Sequence, residues 1–329
     1  MIVKTILPEQ LSVRPASLAD IAIIYELDQA YDLANYSREN ETLEEARAAW
    51  TEPGTDLQKD SWLVFDASGR LLGYGLIQHT MYVQYSFSAC IQPDYSDARL
   101  GEYLLEQAEG WAREHIERAE PGVRVILKSW LPGNDQTGRQ LYERWGLREI
   151  RRFWHMEIDL AESPPVPVWP AGIELRPYRP ELDERLAFRI IDTAFRDHWG
   201  HIPNRFAKWK HWTIERPGFD PSLWFIAYKD GQAVGGVFCE AQDAGGWVDD
   251  LAVLREARGE GLGTALLLHS FNEFYRRGKR VVGLGVDSQN LTGALRLYQR
   301  AGMHRVQENI NYEKELRAGV EPSTRELMD

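Results

Sequence analysis

The chain carries one pattern twice, and this duplication limits its possible folds more than any single motif does. Shifted by 162 positions, the sequence superimposes Arg14-Pro15 on Arg176-Pro177, Trp62 on Trp224, Gly69 on Gly231, Gly73 on Gly235, and Gly101 with Leu104-Leu105 on Gly263 with Leu266-Leu267. Farther on the shift falls to 156, and Asn134, Leu141, Tyr142, Arg144, Gly146, Glu157 and Leu160 fall on Asn290, Leu297, Tyr298, Arg300, Gly302, Glu313 and Leu316. A long series of matches in two constant registers implies a duplicated domain of roughly 160 residues, an ordinary domain size. The first copy carries six extra residues around positions 117–124. With 329 residues and a hydrophobic fraction of 43%, the chain can build two such domains, each with its own core.

Both copies follow the same order. A short strand (11–14; 173–176) leads into a helical region, then a hairpin: strands 62–65 and 71–77 in the first copy, 224–228 and 233–240 in the second, joined at Gly69 and Gly231. A further strand, a turn and a helix come next, then a buried strand (123–129; 280–286), a helix ending at Gly146 or Gly302, and a last strand (152–160; 307–316). The order βα(α)βββαβαβ predicts an α+β fold, an α/β sandwich in which helices flank a mostly antiparallel mixed sheet with one parallel pair. The expected ranges are 1–160 for the first domain, 173–317 for the second and 318–329 for a tail. The join at 161–172, AESPPVPVWPAG, has four prolines, which suit an extended, semi-stiff linker.

The net charge of −12 argues against a polyanionic partner such as nucleic acid, although a local basic pocket for a small phosphate ligand is compatible with it. No run approaches eighteen apolar residues, and the N-terminal stretch MIVKTILPEQ lacks the features of an export signal. The expectation is therefore a cytoplasmic protein with no membrane partner. Cys90 and Cys239 are too few for a disulfide framework or a zinc site and read as small core residues. The oligomeric state is not readable.

Chemistry concentrates in residues 247–277, WVDDLAVLREARGEGLGTALLLHSFNEFYRR. A strand pattern feeds an amphipathic helix through the turn Arg258-Gly-Glu-Gly-Leu-Gly263. Glycines admit a bulky ligand close to the backbone, and the start of the helix offers unpaired N–H groups and a positive dipole end, which suits a phosphate or pyrophosphate. A plain flexible strand-to-helix connection is the alternative. A P-loop needs a lysine at Gly263-Thr264-Ala265, and a dinucleotide fingerprint needs GxGxxG directly off the strand, so both fit poorly.

The strand, Arg258-x-x-Gly261-x-Gly263, Asn290 and Leu297-Tyr298-Gln-Arg-Ala-Gly302-Met together resemble the GCN5-related N-acetyltransferases (GNAT). Two such domains in one chain are similar to the tandem acetyltransferases. The resemblance implies acetyl-CoA as co-substrate, a small-molecule amine as acceptor, and a cofactor loop that grips the pyrophosphate. It further implies cofactor contacts from Leu251, Ala252 and Val253 on the strand, from Arg258, Gly259, Gly261, Leu262, Gly263 and Thr264 in the loop, and from Asn290, for which a purely capping role is the alternative. In the first copy the loop reads Ser96-Asp-Ala-Arg-Leu-Gly101, with only Gly101 retained. A carboxylate and side chains in place of glycines predict a scaffold domain that binds acetyl-CoA poorly or not at all.

Under that resemblance Tyr298 is the general acid, because a phenol of pKa ~10 stays protonated at neutral pH and can donate to a thiolate of pKa ~8.5. A core tyrosine is the alternative, since Tyr142 recurs in the copy read as inactive. Family members often carry a glutamate on the fourth strand where this chain has Trp247. Asp249 is the favoured base, placed by alternation on the face of Trp247 and Leu251, with Asp250 on the other face and Glu240 nearby. The aromatic segment 194–212 reads as the acceptor's entry, with Trp199, Phe206, Trp209 and Trp212 as pocket lining or as lid packing. His198, His201 and His211 lack metal-site spacing, so no metal is expected. The competing function is a non-catalytic CoA-binding sensor or structural pseudo-enzyme.

Overall fold

The computed structural model describes residues 5–36, 42–203, 205–216, 218–242, 245–290 and 292–325. In chain order, β1 (Ser12–Arg14), α1 (Ile21–Tyr36), α2 (Leu43–Trp50) and the single turn α3 (Leu57–Asp60) precede β2 (Ser61–Phe65), β3 (Leu71–Thr80) and β4 (Gln84–Ile91). Then come α4 (Ala98–His115), β5 (Val125–Pro132), α5 (Gln136–Trp145) and β6 (Arg148–Asp159). The second copy repeats the order with β7 (Ile173–Pro177), α6 (Glu184–Ala194), α7 (Phe206–Thr213), β8 (Trp224–Lys229), β9 (Gln232–Ala241), β10 (Gly246–Val253), α8 (Leu262–Arg276), β11 (Val281–Asp287), α9 (Ala294–Arg300) and β12 (His304–Arg317).

Local chemistry sets many of these boundaries. Thr42 caps α2 by accepting the Glu45 N–H, while the Glu45 carboxylate accepts the Thr42 N–H at 2.7 Å. The β2–β3 turn closes because the Asp66 carboxylate accepts the N–H groups of Ser68 and Arg70. Gly146 takes a left-handed conformation at φ 87° and stops α5, leaving the Leu147 N–H to bond the Tyr142 carbonyl.

The chain divides into two units, Met1–Arg152 with Asn309–Pro322, and Phe153–Glu308 with Ser323–Asp329. In the first unit the strand order is β1-β2-β3-β4-β5, completed by residues 309–317 of β12. Of these strand pairs among the described residues, β4–β5 is the parallel one. In the second the order is β7-β8-β9-β10-β11, completed by residues 153–159 of β6, and among the described residues β10–β11 is the parallel pair of these. The sequence expectation gave each copy its own last strand. The structure instead pairs residues 153–159 of the first copy with β11, and residues 309–317 of the second copy with β5. Each last strand follows a glycine-stopped helix, so either could serve either sheet.

Helices bury apolar stripes against each sheet. In the first unit Ile21, Ile24 and Leu27 of α1 join Leu63 and Leu76. In the second, Phe271 and Phe274 of α8 lie with Val248 and Leu284, and Phe274 fills the space that a side chain at Gly246 would need. Trp224 is fully buried there, its indole N–H donating to the Cys239 carbonyl at 3.2 Å. Cys90 and Cys239 are both buried free thiols.

Candidate functional site

The parallel pair in the second unit is short. Gly246, Trp247 and Val248 of β10 sit beside Val282, Gly283 and Leu284 of β11, after which β10 runs on to Val253 and β11 to Asp287 without pairing to each other. Where they part, a cleft of about 1180 Å³ opens, lined among others by Leu251, Val253, Gly285, Asn290 and Tyr298. The loop before α8 forms one wall, with Arg258, Gly259, Gly261, Leu262, Gly263 and Thr264 all lining the cleft. Ala252 is buried at 1% exposure on the other face of β10 and does not line it.

The loop's glycines have separate roles. Gly259 and Gly261 adopt φ +82° and +92°, which side-chain-bearing residues rarely adopt, and a Cβ at either would point into open space. Gly261 is the N-cap of α8 and supplies no side-chain cap, so among the described residues the first N–H groups of this helix have no protein partner. Gly263 instead makes room for a neighbour, since a Cβ there would lie 3.0 Å from Leu297 Cδ1 on α9. Its counterpart Gly101 does the same against Leu141, at 2.5 Å. Helix packing thus supplies a reason for the one glycine of this loop that both copies share.

Arg258 borders the cleft while its guanidinium is held by the protein. Its guanidinium donates to the Val253 carbonyl at 3.0 Å, the Ala194 carbonyl at 2.9 Å and the Asp197 carboxylate at 2.8 Å, tying the loop to the end of α6. Asn290 acts as a cap, its side-chain oxygen accepting from the N–H groups of Thr292 and Ala294 at 2.9 and 3.1 Å while it borders the cleft. In the first unit the corresponding helix start is occupied by its own chain. Asp97 accepts the Arg99 N–H at 3.0 Å as N-cap of α4 and also binds the Arg99 guanidinium.

Tyr298 is 8% exposed, and its hydroxyl has no hydrogen-bond partner among the described residues. Burial, then the charge of Asp250, pushes its pKa up to about 12. Tyr142 differs, since its hydroxyl shares a 2.7 Å hydrogen bond with Ser129, which itself donates to the Phe87 carbonyl. In the 156 register Ser129 becomes Gly285, where a Cβ would meet nothing within 4 Å. The second copy thus lacks the group that ties up its tyrosine in the first.

The acidic residues of β10 depart from strict alternation. The register places Trp247 opposite Glu240, Val248 opposite Cys239, Asp250 opposite Phe238 and Leu251 opposite Val237, leaving Asp249 as the extra residue of a bulge. Asp250 therefore shares a face with Trp247, and Leu251 with Val248, a correction to the faces that alternation predicts. Asp249 lines the cleft but is ion-paired, accepting from Arg216 at 2.8 Å, and Glu240 lies 2.8 Å from the same guanidinium nitrogen. Asp250 has no such partner among the described residues, and burial, with the charge of Asp249 second, pushes its pKa up to about 7.

None of the four aromatic residues expected to line an acceptor pocket borders this cleft. Trp209 is buried against Phe188 and Trp224, and Phe206 packs on Phe188 at 5.5 Å, so both belong to the packing of α7 on α6. Trp212 stands edge-on to His211, and Trp199 lies under the Arg325 guanidinium at 4.4 Å. His198, by contrast, does line the cleft, and burial, with Arg258 second, pulls its pKa down to about 4, leaving a neutral imidazole. The segment 194–212 that the sequence marks as pocket lining contains His198, and the turn after α6 brings it beside the loop. Among the described residues no helix is long and apolar enough to cross a membrane.

Comparison with known proteins adds three findings. A family model described as Acetyltransferase (GNAT) family matches residues 186–303, within the second copy. Curated relatives include mycothiol acetyltransferases from Thermobispora bispora, 30% identical over 68% of this chain and 74% of the relative, and from Thermomonospora curvata, 32% identical over 62% and 69%. Among solved structures, a GCN5-related N-acetyltransferase from Sphaerobacter thermophilus is 32% identical with a TM-score of 0.82, covering 96% of this chain and 99% of that one. A tandem GNAT protein from the clavulanic acid biosynthesis pathway, 17% identical with a TM-score of 0.69 over 93% and 98%, shares the fold.

Proposed function

Since the chain belongs to the GCN5-related N-acetyltransferase family, whose members use acyl-CoA, we propose that it transfers the acetyl group of acetyl-CoA to the primary amine of a small molecule, with the chemistry in the second unit and the first as scaffold. The name of the curated relatives brings a mycothiol-type small molecule to this chain as the acceptor class. The observation that carries the reading is the contrast between the copies. Among the described residues, one has a helix start without a side-chain cap behind two left-handed glycines and a tyrosine hydroxyl without a partner; the other has Asp97 in the helix start and Ser129 on the tyrosine.

The coenzyme supplies a thioester, whose carbonyl carbon an amine can attack with loss of thiolate. The N–H groups at the start of α8 and the glycines before it bind its diphosphate, with the dipole of α8 adding to the attraction. The unpaired edge of β10 at residues 251–253 holds the pantetheine arm alongside it as a further strand and donates N–H to the thioester oxygen. Asp249, the acid of β10 that lines the cleft, accepts through a water the proton that the amine must shed. Tyr298 keeps its proton across the working range, donates a hydrogen bond to the departing sulfur and gives up the proton as the thiolate leaves. His198, neutral beside the loop, excludes water from that end of the cleft without adding charge.

The test is thiol release from acetyl-CoA in the presence of a panel of small primary amines, including amino sugars and cysteinyl conjugates. Release that depends on the amine supports transfer; coenzyme binding without release for any amine supports a sensor instead.

A further inference from the structure

We infer that Arg296 and Arg300 on α9 form a seat for a phosphate monoester, the 3′-phosphate on the ribose of a coenzyme whose diphosphate lies on the neighbouring loop. The inference rests on the coenzyme reading above and assigns a part of the ligand that this reading leaves unbound. Both arginines line the cleft, and both are exposed. Four residues apart, they stand one above the other on one side of the helix. Leu297, three residues before Arg300 and so its neighbour on the helix surface, is the residue that meets Gly263, which sets Arg300 beside the loop where the diphosphate would sit.

Neither side chain forms an ion pair or hydrogen bond among the described residues. In a chain of net charge −12 two adjacent unpaired guanidinium groups are an unusual concentration of positive charge. Asp159 and Glu162 border the same cleft, yet neither is ion-paired to them. The first copy serves as an internal control. There Gln140 stands in the place of Arg296, and Arg144, in the place of Arg300, lies 3.9 Å from Glu102 on α4. Glu102 itself replaces Thr264 of the cofactor loop. The copy whose helix start is blocked by Asp97 has thus also lost one arginine and neutralised the other.

A phosphate monoester carries close to two negative charges at neutral pH and offers three acceptor oxygens, whereas a guanidinium presents a planar fork of donors that matches them. Two forks about one helical turn apart can grip a single such group while the diphosphate remains on the N–H groups of α8. A coenzyme lacking the 3′-phosphate keeps the diphosphate contacts and loses only these.

Calorimetry on the full chain with CoA and with 3′-dephospho-CoA tests the assignment. The expected result is a preference for CoA of about tenfold or more, the scale of hydrogen bonds to charged groups, shrinking as salt is raised. In the double variant Arg296→Gln/Arg300→Gln the preference should vanish because CoA binding weakens, while 3′-dephospho-CoA binds as to the unaltered protein. Equal affinity of the unaltered protein for both ligands overturns the assignment, as does a preference that survives in the double variant. Absence of binding by either ligand overturns the diphosphate reading itself, and the inference with it. Inorganic phosphate displacing CoA from the unaltered protein but not from the double variant would identify a general phosphate site rather than one built for the ribose, and so also overturn it.

Discussion

Tyr298 and Tyr142 occupy equivalent places four residues before a helix-stopping glycine, and what separates them is the neighbour across the gap between parallel strands. Ser129 binds one hydroxyl, whereas Gly285 leaves the other facing the cleft. Tyr298→Phe should therefore slow turnover by roughly ten- to a thousandfold with little change in acetyl-CoA affinity, the usual range for loss of a general acid. Steady-state rates beside calorimetric affinities check this; an unchanged rate removes Tyr298 from the mechanism. Asp249 borders the cleft, so Asp249→Asn should lower turnover by roughly a hundredfold with little change in acetyl-CoA affinity, checked by the same two measurements. Asp250, on the other face of β10, is read through stability instead. Because the folded pKa of Asp250 lies above the unfolded value of ~3.9, its contribution is fully present below pH ~4 and is lost as pH rises through about 7. Denaturant midpoints measured from pH 4 to 8 should therefore fall less steeply for Asp250→Asn than for the unaltered chain.

At the level of the elements, the glycine turn and the helix start behind it were legible because glycine spacing and helical periodicity are local signals. The division of labour within it was not. Gly263 and Gly101 also make room for Leu297 and Leu141 on another helix, a contact that spacing cannot report. Spacing likewise could not report that the carbonyls of Val253 and Ala194 hold the Arg258 guanidinium. The bulge at Asp249 was also hidden, since an inserted residue changes the face of its neighbours without changing the composition of the strand. Two substitutions that copy the first unit into the second separate these roles. Gly261→Arg forces a side chain into a φ of +92° at the mouth of α8 and should abolish acetyl-CoA binding, with a stability cost of about 1 to 2 kcal/mol. Retained binding, measured by calorimetry, would contradict the role given to that turn. Gly285→Ser meets no steric obstacle and should give Tyr298 the partner that Tyr142 has, lowering turnover severalfold while acetyl-CoA still binds and the melting temperature holds or rises.

Over the whole molecule, duplication was legible because two constant registers persist through the chain, and the order of strands and helices follows from it. The ownership of the last strands was not, because β6 and β12 follow equivalent glycine-stopped helices and both offer alternating patterns to a waiting edge. Residues 153–159 complete the sheet of the second unit beside β11, and residues 309–317 complete that of the first beside β5. Ionic and core contacts follow the same division. Lys314 of β12 binds Glu109 of α4 at 2.6 Å, and Arg124 binds Glu313 and Glu315, whereas Met156 of β6 is buried at 1% exposure in the core of the second unit. A cut in the linker at 161–172, the place that the repeat pattern recommends, therefore removes from each half the strand that its own sheet requires. Fragments 1–165 and 166–329 expressed separately should show little cooperative unfolding, because each exposes a sheet edge and buried residues lose their cover. Mixed during refolding, they should recover a cooperative transition and acetyl-CoA binding together, since each fragment carries the other's missing strand. A fragment 166–329 that alone melts cooperatively and binds acetyl-CoA as tightly as the full chain would show that residues 153–159 are dispensable to the second sheet.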